Sequence, residues 1–294
     1  MEKTYELMPN AKMLLSSLRS VGYTEETAIA DIVDNSISSG ANTIQLYFDW
    51  DDQTILIADN GKGMQKRELL DSMKIGSSDP GVTRSASDLG RFGMGMKTAS
   101  FSLGKQLLVI TKQKDEINNA EWNLEYVENE DKWEILIHSD EKIDTYIKSK
   151  TDKIEFQNWD EGTLISLSML DKLIDENNMQ KSKVKFYKTV EKVKKHLAMI
   201  FHRFIEEDNL QIYVNKNLLE AWNPFIRQNP ATMELACEEL FDGKTSVSIE
   251  PYILPHKTKF EDEEAFKKAG GAKDWLAHQG FYVYRNRRLI VYGT

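Results

Sequence analysis

Five β-prone, mostly apolar residues, Thr54 to Ala58, run straight into Asp59-Asn60-Gly61-Lys62-Gly63-Met64. A run that short, bounded by turn residues, reads as a strand. Asp59 therefore closes a strand and holds its carboxylate where the chain must turn. Just before it, Ile44, Leu46, Phe48 and Trp50 alternate with polar residues, so Asp51-Asp52 reads as the turn of a hairpin. Upstream the apolar period is helical. Asn10 to Ser20 reads as a helix with Gly22 past its end, and Thr24 caps a second helix with Glu25 and Glu26 in its first turn and Gly40 as its stop. Downstream, Thr98 to Leu103 reads as a helix stopped by Gly104, and Gln106–Thr111, Trp122–Val127, Trp133–His138 and Leu164–Ser168 are strand-like. This pattern predicts an α/β chain, an α+β two-layer sandwich with a mainly antiparallel sheet and helices gathered on one face.

The 294 residues, 40% of them hydrophobic, suffice for two domains. The polar stretch Lys172 to Asn178 places the boundary near residue 170, giving domains 1–170 and 171–294. The second domain opens with a helix carrying Val193, Leu197, Phe201 and Phe204. It continues with a hairpin at Asn215-Lys216-Asn217, a strand near Ser246–Leu254, a polar helix near Glu261–Ala269 and a hairpin at Asn286-Arg287. The chain stops at Thr294, directly after the strand-like Leu289–Tyr292, which reads as an end inside this second domain. No stretch approaches the ~18 apolar residues of a membrane span, and Met1–Lys12 has no apolar core flanked by basic residues. The single cysteine, Cys237, excludes an internal disulfide framework and fits a reducing compartment. A soluble, cytoplasmic protein with no membrane partner is the expectation.

A net charge of −9 argues against a protein that coats nucleic acid over its whole surface. Locally the balance reverses. Lys181 to Lys195 carries seven lysines against one Glu, a stripe suited either to DNA phosphates or to plain solvation. Arg285, Arg287 and Arg288 around a turn pose the same choice. The five histidines show no metal-ligand spacing.

Three segments carry candidate chemistry. Asp31 and Asn35 are four apart, hence on one helix face. Asn35 can offer an amide oxygen to Mg²⁺, and Asp31, one turn away, can orient and deprotonate a water aimed at a terminal phosphate. The same pair would serve as the polar stripe of an amphipathic helix. Asp59 can accept from an exocyclic amino group such as adenine N6, while Gly61 and Gly63 allow close backbone approach and Met64 can pack on the ring. The alternative there is a plain turn. The third segment is Gly90-Arg91-Phe92-Gly93-Met94-Gly95-Met96-Lys97-Thr98. It fails the Walker A pattern because Met96 intrudes before Lys97, and it fails the dinucleotide fingerprint because Thr98 stands where the third glycine belongs. What remains is a glycine-rich loop opening a helix whose N–H groups face an anion, with Lys97 as added charge, or else a hinge. The preceding Gly76–Gly90, rich in Gly, Ser and Asp, reads as a lid loop.

Taken in order, these segments resemble the GHKL ATPases (gyrase B, the large heat-shock chaperone, histidine kinases, MutL). The stretch from Tyr23 to Leu108 is most similar to the microrchidia (MORC) branch and its prokaryotic relatives. Asp31–Asn35 matches the family's N box, Asp59–Met64 its first glycine box, Gly90–Thr98 its second, and Gly162-Thr163 the later Gly-Thr whose hydroxyl helps bind adenine through water. The resemblance implies a Bergerat-type ATP-binding domain followed by a smaller transducer resembling ribosomal protein S5. It also implies ATP and Mg²⁺ as ligands, a cycle of lid closure and homodimerisation on ATP binding, and action on DNA in this branch. By the same resemblance Asp31 is catalytic, Asn35 holds the metal, Asp59, Gly61, Gly63, Met64 and Thr163 bind the base, and Gly93, Gly95, Met96, Lys97 and Thr98 cradle phosphate. A non-hydrolysing ATP-gated switch, or a DNA-binding scaffold in which nucleotide is secondary, is the competing expectation. A histidine kinase is disfavoured because thirty residues precede Asp31, too few for the phospho-accepting hairpin. Two departures stand out. Asp31 replaces the family's usual Glu, which leaves its oxygens roughly 1–1.5 Å short, a displacement that can cost about 10²-fold in rate; Ser38 stands where many relatives carry Asp. The lysine that the family's transducer gives to the γ-phosphate is Lys257 or lies past Thr294.

Overall fold

The computed structural model describes residues 5, 9–20, 22–76, 95–243, 245–271, 275–276 and 279–293. The chain forms two compact units, 1–197 with 207–219, and 198–206 with 220–294.

The first unit is built on a seven-stranded sheet. Its helices are α1 (Ala11–Arg19), α2 (Glu25–Ser38), α3 (Lys66–Met73), α4 (Gly95–Leu103), α5 (Leu124–Glu130), α6 (Asp140–Lys148) and most of α7 (Met179–Ile200). Its strands are β1 (Thr43–Asp49), β2 (Thr54–Asp59), β3 (Gln106–Gln113), β4 (Glu116–Asn123), β5 (Gly162–Ser168), β6 (Gln211–Val214) and β7 (Asn217–Leu218). They lie in the order β4-β3-β5-β2-β1-β6-β7. Neighbours are antiparallel except β1 and β6, which run parallel. The sheet is thus mixed and mainly antiparallel, with helices against it, as the pattern predicts.

Strand β2, at the centre, is buried along its whole length. Alternate residues of a strand face opposite sides. Leu56 and Ala58 point into a cluster with Leu108, Ile110 and Leu164, closed by Ile143 and Ile147 of α6 and by Phe156. Asp59 faces the other side, where its carboxylate meets Ser36 of α2. Helices therefore cover both faces, α2 on one and α6 on the other, and not the single face that the sequence pattern predicts.

Helix α2 forms for reasons visible in its ends. The Thr24 side chain accepts from the Thr27 N–H, the Thr27 hydroxyl in turn accepts from the Thr24 N–H, and Gly40 takes a left-handed φ of 81° just past the end. Its buried residues, Ala28, Ile29, Ile32 and Val33 among them, fix which face turns inward.

Three expected elements come out differently. The strand foreseen at 122–127 ends at Asn123, because the Asn123 side chain accepts from the Tyr126 N–H and starts α5. The stretch 133–138 makes only a single bridge, Glu121 to Leu136. The chain after residue 170 does not leave the first unit at once. Strand β6 pairs in parallel with β1, and Asn215 Oδ1 accepts from the Phe48 N–H at 2.7 Å, so this unit runs on to Leu219.

The second unit contains α8 (His202–Glu207) in all but its last residue, α9 (Glu263–Ala269) and the strands β8 (Met233–Glu234), β9 (Glu238–Phe241), β10 (Ser246–Ile249), β11 (Tyr252–Ile253), β12 (Tyr282–Arg285) and β13 (Arg288–Tyr292). The β12–β13 hairpin turns at Asn286-Arg287, both left-handed, as a two-residue turn of that type demands. Phe225 stacks on Tyr252 and meets Tyr282 edge-on, forming a small aromatic core.

Candidate functional site

The strand-end carboxylate is the most enclosed of the candidate groups. Asp59 is 4% exposed. Its Oδ2 accepts from the Ser36 hydroxyl at 2.8 Å and its Oδ1 from the Gly61 N–H at 2.9 Å. The nearby Thr163 N–H and Ser39 hydroxyl also favour its ionised form, while the Ser39 hydroxyl itself donates to the Ser36 carbonyl at 2.8 Å. Burial pushes the carboxyl above the usual carboxylate range, against the pull of those donors. No cation neutralises it among the described residues. A buried acceptor of this kind suits a ligand that brings N–H donors and no charge.

The glycines around it are required by space. A Cβ on Gly61 would come within 1.9 Å of Ser39 Oγ. On Gly63, which has a left-handed φ, it would lie 1.9 Å from the Lys112 carbonyl oxygen. The loop they form is held at three points: the Lys62 N–H donates to the Ser39 carbonyl, the Gln113 amide donates to the Lys62 carbonyl, and the Met64 N–H donates to the Thr111 hydroxyl at 2.8 Å. Thr111 is buried, and its hydroxyl also donates to the Gly162 carbonyl at 3.2 Å. One hydroxyl thus joins the glycine loop to the start of β5. Thr163 pairs with Asp59 across β2 and β5, so the expected Gly-Thr stands beside the expected Asp.

On α2, Asn35 is exposed, and its Nδ2 donates to the Asp31 carbonyl at 2.7 Å. That bond fixes the amide and turns Oδ1 away from the helix. One outward oxygen fits Mg²⁺, which keeps several waters and shares its ligands with substrate phosphates. No group of three or more His, Cys, Asp or Glu suited to a metal occurs among the described residues. Asp31 is half-buried, and the Tyr23 hydroxyl donates to its Oδ2 at 2.7 Å. A Cβ on Gly95, the first residue of α4, would sit 4.0 Å from that same oxygen.

Helix α2 is therefore the meeting point. Over about one and a half turns it brings the first residue of α4 to Asp31, and it brings the strand-end carboxylate to Ser36, next to Asn35.

The third segment is described only from Gly95 onward; Gly90 to Met94, with the expected Gly93, and the expected lid from residue 77 lie outside the described residues. Lys97 is placed otherwise than its expected phosphate contact suggests. It is buried, and its Nζ donates to the Ser72 carbonyl at 2.5 Å, at the C-terminal end of α3 where a cation is favoured. Burial lowers its pKa to about 8. The neighbouring Met73 carbonyl accepts from Trp122 Nε1 at 2.9 Å, so the end of α3 is pinned twice. The Thr98 hydroxyl turns back to the Gly95 carbonyl, and Met96 is half-buried. Lys257 lies in the second unit, 57% exposed and 3.6 Å from Glu263. An open hollow of about 570 Å³ also lies beside Asn60, lined by Lys114, Asp115, Trp159 and Glu161 among others, and apart from Asn60 it involves none of the candidate residues.

The family model described as "Histidine kinase-, DNA gyrase B-, and HSP90-like ATPase" matches residues 23–160. Over that stretch, a little under half of its length, the chain is similar to the GHKL ATPases. Curated proteins to which the chain is similar include MORC proteins. The chain is 33% identical over 121 residues to "ATPase morc-1" of Caenorhabditis elegans, covering 40% of this chain and 14% of that protein. It is 28% identical over 109 residues to "MORC family CW-type zinc finger protein 3" of Mus musculus, covering 35% and 11%. It is 25% identical over 119 residues to "ATPase MORC2" of Homo sapiens, covering 38% and 11%. The aligned GHKL region is thus a small part of each relative. No helix among the described residues is long and apolar enough to cross a membrane.

Sequence reasoning did not name Ser36, Ser39, Thr111 or Tyr23 for this GHKL site. Ser36 and Ser39 carry a signal in hindsight. They lie one and four residues beyond Asn35, at the end of α2 that reaches Asp59.

Proposed function

We propose that this domain binds ATP along α2 and hydrolyses it with Mg²⁺, and that two copies associate in the ATP-bound state. The observation that carries the reading is the convergence on one helix. The strand-end acid bonds Ser36, and the first residue of α4 abuts Asp31. Adenine would give its exocyclic amino hydrogen to Asp59, a buried acceptor already oriented by the Ser36 hydroxyl and the Gly61 N–H. The base would lie over Gly61 and Gly63 beside Met64, with the Thr163 hydroxyl sharing a water. The phosphates would meet the N–H groups that open α4, from Gly95 to Thr98, where the helix dipole favours anions. Lys97 acts differently from the sequence expectation. Its ammonium braces α4 against the end of α3, and its main-chain N–H serves the cradle.

Mg²⁺ held at the Asn35 Oδ1 would offset charge on the phosphate oxygens. The remaining chemistry belongs to Asp31, which orients a water in line with the terminal phosphate and accepts its proton as the bond to phosphorus forms. Turnover assays test these roles. Asp31→Ala is expected to abolish most hydrolysis while retaining nucleotide, and Asn35→Ala to weaken Mg²⁺-dependent binding; unchanged turnover in both would refute the assignment. Light scattering with a non-hydrolysable ATP analogue tests association, and a monomer at saturating analogue would refute that part. We place the following unit, with its paired strands and α9, in the transducer role.

A second reading concerns DNA. Lys181, Lys185, Lys188, Lys192 and Lys195 recur at helical spacing on α7, and all five are exposed. Such a stripe would contact duplex phosphates without regard to sequence. DNA retardation that weakens steeply with salt, and weakens again when Lys188 and Lys192 become Ala, is the expected result.

A further inference from the structure

We infer that Tyr23 is a positioning residue for Asp31, and that the pair works as one unit in place of a longer acid; this rests on the proposed role of Asp31. The Tyr23 hydroxyl donates to Asp31 Oδ2 at 2.7 Å, a well-formed O–H···O hydrogen bond. The two residues are eight apart, and the helix starts between them. Side chains on a helix lean toward its N-terminus, so the Asp31 carboxylate is inclined back toward the residue that precedes the Thr24 cap. Only a long, stiff side chain at position 23 can meet it, because Thr24 to Asp31 rises about 10 Å along the axis. Tyrosine supplies that reach with two rotatable bonds and a donor at its tip.

The carboxylate turns about χ2, a terminal torsion with a broad, shallow minimum, and the bond from the phenol narrows it. With Oδ2 fixed by the phenol and bordered by Gly95 at the opening of α4, the plane of the carboxylate is set relative to the place where phosphates would lie. This is the service an outer group performs for a histidine ligand or a triad base: it removes rotational freedom from the group that does the chemistry. It also gives a reason for Asp at a position where relatives use Glu. The shorter acid has fewer torsions to order, and the phenol orders the one that matters.

The experiment compares Tyr23→Phe with wild type in single-turnover ATP hydrolysis, alongside titration with a non-hydrolysable ATP analogue and a melting curve. The phenyl ring keeps the packing and deletes only the donor. The expected result is a hydrolysis rate constant lower by about tenfold or more, approaching ~10²-fold, with analogue affinity within about twofold of wild type and a melting temperature within about 2 °C. An unchanged rate constant overturns the inference, and so does a loss of affinity that matches the loss of rate, since the residue would then serve binding or folding. Asp31→Ala in the same assay separates the two ideas. If it hydrolyses normally, the role of Asp31 is wrong; if it is inactive while Tyr23→Phe is normal, only the pairing is wrong.

Discussion

The two acids of the site stand in opposite surroundings. Asp59 is almost fully enclosed and has donors on both oxygens before any ligand arrives. Asp31, more than a turn closer to the start of α2 than the Ser36 that bonds Asp59, is half-buried, bonded to the Tyr23 phenol and facing the opening of another helix. In the roles proposed for them, the difference separates recognition from reaction. A site that must hold a flat, neutral base can be finished in advance, because every donor and glycine it needs is local or on an adjacent strand. A site that must activate water is left partly open to its phosphate and its metal. Pre-organised binding costs little on arrival, whereas the reacting end depends on the placement of one carboxylate.

The sharpest way to break this contrast is Asp31→Ala, expected to lower the rate of hydrolysis by about 10²–10⁴-fold while leaving analogue affinity nearly intact. A matching loss of affinity would mean that the two ends are not separable. Next is Gly63→Ala. A Cβ 1.9 Å from a main-chain carbonyl, at a left-handed φ, cannot be relieved by a side-chain movement. About 2–3 kcal/mol of destabilisation is expected, some 30- to 150-fold in the folding equilibrium, read by denaturant titration. A neutral result would show that the loop is not preformed.

Asp59→Asn is expected to weaken analogue binding about tenfold, by replacing an ionised acceptor with a neutral one. Its effect on stability has a definite sign. Because burial raises the folded-state pKa of Asp59, the fold is penalised for ionising it, and the penalty appears as pH rises through the ordinary carboxylate range up to the raised value. The Asn variant should therefore gain on wild type over that interval in melting experiments. The smallest effect belongs to Lys97→Met. With the Lys97 pKa lowered to about 8, burial of the ammonium weighs fully on the fold below that pH. It is relieved between about 8 and the ordinary lysine value of about 10.4, so wild type should gain on the Met variant in melting temperature across that window. A constant difference would mean that Lys97 stays charged throughout.

The parts of this molecule written in local chemistry were legible from its residues. The caps of α1 and α2, the end of β2 at Asp59 and the turns at Asn215-Lys216 and Asn286-Arg287 all follow from residues within four positions of one another. Helix α6 was legible and overlooked. Ser139 precedes it, and Ile143, Tyr146 and Ile147 recur at helical spacing onto the Phe156 cluster. The false strand at 122–127 arose because Trp122, Leu124 and Val127 are apolar on any period, whereas the deciding bond comes from the Asn123 side chain. The hydroxyl network was out of reach for a different reason. Thr111 links residues 64 and 162, and Ser36 meets residue 59, so their partners are set by strand order and not by neighbouring sequence. Lys97 was misjudged because a lysine beside a glycine loop suggests an anion, while its bond to Ser72 depends on where α3 ends.

The parallel pairing of β6 with β1 has a practical corollary for anyone trimming this gene. Expression of residues 1–170 alone, a natural reading of the polar stretch after Leu170, would strip β1 of its neighbour and leave an open, apolar-faced edge of the kind that recruits other chains. A shortened version that behaves well in solution should carry the polypeptide as far as Leu219, the last residue of the first compact unit.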